Sequence, residues 1–180
     1  MRFQETRVQG AFLVELDKVA DERGYFARTW CQQEFAQHGL SAKLVQCNTS
    51  FNLYEGTLRG MHYQAAPHGE DKLVRCTRGS VYDVIIDLRE DSPSFKSYHA
   101  ETLSQDNGMM LFIPQGVAHG FLTLEDDTEV FYQMSEFYVP EAGRGVRWND
   151  PAFGVEWPSE VRVISDRDHS YPDYLPAGAC

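Results

Sequence analysis

Gly56-Thr-Leu-Arg-Gly-Met-His62-Tyr-Gln64, followed by Lys72-Leu-Val-Arg75 and a glycine at 79, is the stretch on which the fold of this chain turns. Its residues favour extended backbone, and an extended backbone sends successive side chains to opposite faces. Strict alternation puts Leu58, Gly60, His62 and Gln64 on one face and Arg59, Met61 and Tyr63 on the other. A histidine in line with Leu58, on the inward face of a small barrel or sandwich, sits in a dry pocket. There an imidazole carries a proton near neutral pH. A lone histidine of this kind is more often satisfied by a backbone carbonyl, so its cationic neighbours Arg59 and Lys72 give it its interest.

Strand patterns continue on both sides. Residues 8–16 read as a first strand, ended by the polar turn Asp21-Glu-Arg-Gly24, and residues 25–29 as a second. Thr29-Trp-Cys-Gln32 has capping-box spacing, and residues 33–38 followed by Gly39 complete one short helix. From there the chain alternates strand and turn, with candidates at 44–51, 57–63, 73–77, 81–88, 97–103, 109–113, 118–124 and 128–138. Asn107-Gly108, between two alternating runs, predicts a tight hairpin. Many short strands at this spacing predict an all-β jelly-roll sandwich or barrel. Gly143, Gly145, Pro151 and Pro158 break the last forty residues into a packed irregular tail with a turn or two of helix. A single domain over residues 1–180 is expected.

Composition narrows the function. Hydrophobic residues at 42% and aromatics at 13% belong to a globular chain, and no apolar run reaches the roughly 18 residues of a membrane span. The N-terminus lacks the apolar core of a signal peptide, and Cys31, Cys47, Cys76 and Cys180 show no framework spacing. Free thiols in a cytoplasmic protein are the expectation. A net charge of −11 argues against nucleic-acid and anionic-membrane partners. A small anionic ligand would need a local cluster of cations, which Arg23, Arg59, Lys72 and Arg75 could supply.

Gly56 with His62, Glu70 and Gly79 resembles the first motif of the cupin superfamily, and Pro114-Gln-Gly116-Val-Ala-His119 resembles the second. Metal-binding cupins pair two histidines in the first motif; here Gln64 replaces one, and amides are poor ligands for transition metals. His62, Glu70 and His119 still leave a facial ligand set open.

A more specific resemblance covers nearly the whole chain. Gln46-x-Asn48-x-Ser50, Leu58-Arg-Gly-Met-His-Tyr-Gln64, Lys72-Leu-Val-Arg75, Val81-Tyr-Asp-Val84, Asp87-Leu-Arg89, Ser92-Pro93, Pro114-x-Gly-x-Ala-His-Gly-Phe-Leu122, Trp148-Asn-Asp-Pro151 and Ser165-Asp-Arg-Asp168 fall in order. Together they resemble the dTDP-4-dehydrorhamnose 3,5-epimerase family. That resemblance implies a cofactor-free and metal-free cupin jelly roll, a homodimer, acting on a nucleotide-diphosphate 4-keto-6-deoxy sugar. It further implies that His62 is the base, Asp168 its supporting carboxylate, Lys72 the enolate stabiliser and Tyr132 the acid. Gln46, Asn48, Arg59 and His119 resemble residues around sugar and phosphates, and Tyr138 and Arg167 those near the nucleotide. Arg23 and Phe26 resemble positions lent by a partner subunit to the base pocket. Arg28 and Gly143 depart from the pattern, each standing where the family usually has a carboxylate that meets the nucleotide. Arg28 is expected beside the base, where donors alone would favour guanine or cytosine over thymine. Two rivals remain, a metal-dependent cupin oxygenase or isomerase and a catalytically silent sugar-nucleotide-binding cupin.

Overall fold

The β-branched and aromatic runs condense into fourteen strands in a computed structural model that describes residues 1–174. In chain order they begin with β1 (Arg2–Glu5), β2 (Phe12–Glu15), β3 (Val19–Asp21), β4 (Gly24–Phe26), β5 (Gln46–Asn52), β6 (Thr57–Gln64) and β7 (Lys72–Arg78). They continue with β8 (Ser80–Asp87), β9 (Tyr98–Ser104), β10 (Met110–Ile113), β11 (Val117–Thr123), β12 (Thr128–Met134), β13 (Gly143–Gly145) and β14 (Val163–Ile164). Helix α1 spans Gln32–Gln37 and α2 spans Asp166–His169.

Two sheets form a jelly-roll sandwich. One runs β1-β2-β10-β7-β12-β5 and the other β13-β6-β11-β8-β9, with β14 also on β6. Val74, Cys76, Val81, Ile85, Leu111, Phe121 and Val130 fill the space between them. Phe35 of α1 packs with Val14, Leu73 and Phe112 on the outside of the first sheet. Tail residues Val146 and Phe153 cover Met61, Val84 and Ile86 on the outside of the second. The β3–β4 ribbon stands apart, with Val19, Tyr25 and Phe26 exposed. Cys31, Cys47 and Cys76 are free thiols, and Cys180 lies outside the described residues.

Several local expectations are corrected. Residues 8–16 give only β2, and its partner β1 comes from the N-terminus. The helix begins at Gln32 behind Cys31, with no side-chain cap, so Thr29 does not close a capping box. Gly39 does stop it, at φ +70°. Asn107-Gly108 is not a hairpin, because β9 pairs with β8 while β10 pairs with β2 and β7 in the opposite sheet. Its turn carries the chain across the sandwich, with Asn107 Oδ1 accepting from the Ser104 and Met109 N–H groups. The tail is less irregular than expected, since β13 and β14 both extend the sheet edge at β6.

The correction that matters most lies within β6. Against β11, His62 pairs with His119 but Arg59 pairs with Phe121, so β6 spends one more residue than its partner. This bulge reverses the alternation between the two positions. Arg59 is thereby brought to the cavity with His62, which Leu58 also lines, while Met61 turns outward under the tail.

Candidate active site

Between β5, β7 and β12 on one side and β6 and β11 on the other lies a cavity of about 560 Å³. Asn48, Arg59, His62, Lys72, His119, Tyr132 and Asp168 all line it. A second hollow of about 210 Å³ adjoins it, sharing Asn48 and His62 and adding Gln46, Tyr138, Arg144 and Arg167.

His62 owes its setting to the tail. Parallel pairing of β14 with Thr57 and Leu58 brings the chain alongside β6. Ser165 then caps α2 by accepting from the Asp168 N–H at 3.2 Å. That turn delivers the Asp168 carboxylate to His62 Nε2 at 2.6 Å, while its other oxygen accepts from the Gly60 N–H at 3.2 Å. Burial works to raise the Asp168 carboxyl, but the imidazole and the Gly60 N–H outweigh it and hold the group below its ordinary range. The carboxylate side chain is 6% exposed and the imidazole 40%. With Nε2 held by Asp168, Nδ1 is the ring nitrogen left for a ligand.

Lys72 reaches from the first sheet. Its Nζ donates to the His62 carbonyl at 3.2 Å and pairs with Glu70 Oε1 at 3.1 Å, which leaves one of three N–H donors for the cavity. Tyr132 stands on β12, on the opposite sheet from His62. Burial pushes its phenol far above the ordinary tyrosine range and buried Asp83 adds to this, against Arg59 and Ser50, so it is protonated at neutral pH.

His119 is the cross-strand neighbour of His62, yet its Nε2 lies 2.9 Å from a different carboxylate, that of fully buried Asp83. Its ring meets Tyr132 edge to face at 6.0 Å. The facial set left open by the sequence does not assemble. Glu70 is held by Lys72 and by Gln64 Nε2 at 3.1 Å, and among the described residues no three His, Cys, Asp or Glu side chains converge on one point. Gln64 is a clamp instead, donating to the Phe137 carbonyl and accepting from the Val139 N–H at 2.7 Å.

Three expected residues lie away from both hollows of their own chain. Arg23 is 84% exposed on the β3–β4 ribbon and pairs with Asp21; Phe26 is 78% exposed. Arg28 binds Glu34 at 2.7 Å, and Glu34 also takes the N-terminal amine. Asp83 and Tyr171 reach the site without a sequence motif that assigns them to it. Asp83 lies 36 positions from His119, and only the pairing of β8 with β11 reveals their contact. For Tyr171 the sequence carries no signal.

Fold and cavity together define a jelly-roll protein with a polar, cation-bearing cavity between its two sheets. The family model for dTDP-4-dehydrorhamnose 3,5-epimerase matches residues 5–175. The dTDP-4-dehydrorhamnose 3,5-epimerase of Sinorhizobium fredii is 40% identical over 173 residues, covering 96% of this chain and 89% of its own. The crystal structure of the Bacillus anthracis 3,5-epimerase, with TDP and PPi bound, superposes with a TM-score of 0.92 at 38% identity, covering 96% and 99% of the two chains. A 3′-monoepimerase of Streptomyces bikiniensis in complex with dTDP-quinovose follows at 0.85 and 30%, covering 92% and 84%. The chain belongs to the dTDP-4-dehydrorhamnose 3,5-epimerase family of carbohydrate isomerases.

Proposed function

We propose that this chain epimerises a nucleotide-diphosphate 4-keto-6-deoxy hexose at C3, C5 or both, by proton transfer through an enolate. A ketone at C4 acidifies the hydrogens on both neighbouring carbons, because the carbanion left behind is an enolate. Inversion needs a base on one face of the sugar, an acid on the other and a cation near the carbonyl oxygen. His62 takes the proton at Nδ1, and Asp168 fixes the tautomer and steadies the imidazolium. The free N–H of Lys72 meets the developing enolate oxygen. Tyr132 returns a proton from the opposite wall, and Arg59 and Ser50 ease the phenolate that results.

The observation that carries this reading is the opposition of the His62–Asp168 couple and the Tyr132 phenol on facing sheets of one cavity. A silent binding module has no use for a base and an acid set across from each other. Each step uses only side chains of the chain itself. His119, Arg59, Gln46 and Asn48 hold sugar and phosphates, while Tyr138 and Arg167 hold the nucleotide end in the adjoining hollow. The protein is proposed to act as a single-domain cytoplasmic homodimer in deoxysugar biosynthesis, the exposed ribbon of one subunit lending Arg23 and Phe26 to the other. Among the described residues, no helix is long and apolar enough to cross a membrane. Incubation with 4-keto nucleotide sugars in deuterated water, counting deuterons at C3 and at C5, tests the reading. Absence of incorporation at both carbons with every nucleotide sugar would refute it.

A further inference from the structure

Tyr171 lines neither hollow, yet it touches the machinery of both. Its ring meets the His62 imidazole edge to face, with centroids 6.4 Å apart at 67°. Its phenol oxygen accepts from Arg167 Nε at 3.1 Å. The ring lies over Gly145, the register partner of His62 on β13; a Cβ added there would stand 2.3 Å from Tyr171 Cζ. Bare backbone at 145 is therefore a condition for the phenol to occupy this place. Arg167 and Asp168 are consecutive residues of α2, and Tyr171 follows its C-cap Ser170, so one turn of chain presents guanidinium, carboxylate and phenol together.

From this we infer that Tyr171 is a positioning residue that braces the base and the guanidinium of the adjoining hollow against each other. Asp168 fixes one nitrogen of the imidazole, but a single hydrogen bond leaves the ring free to swing about it. The tyrosine edge blocks that swing. On the other side, Arg167 forms no ion pair with a carboxylate among the described residues; the Tyr171 phenol aims its Nε and is the larger of two tyrosine contacts, Tyr138 being the lesser, and so orients the fork. A ligand anion seated on Arg167 thus presses on the same ring that holds His62. The two halves of the brace are chemically separable, because the ring serves His62 and the hydroxyl serves Arg167.

The inference rests on the epimerase reading, and the test is built to tell the two apart. Tyr171→Phe keeps the ring and removes the hydroxyl. It should raise KM about fivefold to tenfold, the loss expected for one solvent-exposed hydrogen bond, and lower kcat by no more than about threefold. Tyr171→Ala removes both and should also lower kcat about tenfold to a hundredfold, since a reacting group displaced by an ångström loses that much. Gly145→Ala, which displaces the ring, should match Tyr171→Ala. Calorimetry with the tightest-binding of dTDP, UDP, CDP and GDP gives the Arg167 arm a readout without turnover, and Kd should rise in Tyr171→Phe as KM does. An inactive wild type strikes the epimerase reading while leaving that binding arm decisive. Equal kcat losses in the Phe and Ala variants, or a Kd in Tyr171→Phe unchanged from wild type, overturn the brace.

Discussion

Gly60 and Gly120 face each other across β6 and β11 so closely that a Cβ on Gly60 would lie 2.5 Å from the Gly120 Cα. Gly60 also holds φ +142°, a region that side chains other than glycine rarely enter. Between them the two glycines make room for the bulge that turns Arg59 and His62 into the same cavity. Gly60→Ala should therefore destabilise the fold by about 2 kcal/mol or more in urea titrations. The surviving folded protein should have lost activity, because the base and Arg59 no longer share a face. A variant with wild-type stability and turnover would show the bulge to be incidental.

Removing the base separates chemistry from binding. His62→Asn should reduce turnover by about 10²- to 10⁴-fold, the usual contribution of a positioned acid or base, while nucleotide affinity stays near wild type. Asp168→Asn should fall in the same range, since an amide leaves the imidazole in either tautomer. Residual activity of His62→Asn within about tenfold of wild type would take it out of the role.

Tyr132 offers a sharper separation. Its phenol is held protonated, so it suits the donor and not the acceptor of the first proton. Tyr132→Phe should continue to wash deuterium from solvent into the substrate through His62 and yield little inverted sugar. Exchange and inversion lost in equal measure would make Tyr132 a substrate holder instead.

The nucleotide base is a case where structure redirects an expectation drawn from sequence. An arginine at 28 has only donors to offer, but Glu34 already engages Arg28 at 2.7 Å. Phe26, exposed on the ribbon, has no such tie. Arg28→Glu should leave the affinity order of dTDP, GDP, CDP and UDP unchanged, whereas Phe26→Ala should weaken all four. Calorimetry would show otherwise if the order shifts in the arginine variant.

Acid should loosen the molecule at a place remote from the chemistry. The Asp87 side chain is fully buried; burial alone would raise its carboxyl, but Arg89, Ser92 and Ser94 overcome that and hold it at about 2, against an ordinary 3.8. A carboxyl depressed on folding contributes stability that is complete above the unfolded value and fades as pH falls through the folded one. The difference of nearly two units corresponds to about 2 kcal/mol, lost between roughly pH 4 and pH 2. Asp87→Asn should flatten that part of the stability–pH curve measured by thermal or urea unfolding.

What the sequence could and could not convey follows from the range of the interactions. The strands of β5 to β8 are legible because their side-chain pattern is local, and Gly39 marks the end of α1 and Gly79 the turn from β7 to β8 by chirality alone. Asn107-Gly108 misleads because a tight turn looks the same whether it joins two paired strands or two sheets. The shared face of Arg59 and His62 is hidden because a bulge is decided by the partner strand, through Gly120. Asp168 is found only by resemblance, and the contacts of Asp83 and Tyr171 arise within one sheet and its edge, between residues far apart in the chain.

The couple of His62 and Asp168 joins positions 106 residues apart, and its carboxylate arrives with α2, the last helix among the described residues. A nascent chain released before Val146 would already contain every strand from Arg2 to Met134, and with them His62, Lys72 and Tyr132. Its imidazole would have no carboxylate, and Met61, Val84 and Ile86 would lie open where Val146 and Phe153 should cover them. Incomplete synthesis thus yields a product that is both inert and adhesive, the kind that cellular proteolysis removes. Catalytic competence and surface solubility mature together, as translation reaches the same short stretch of chain.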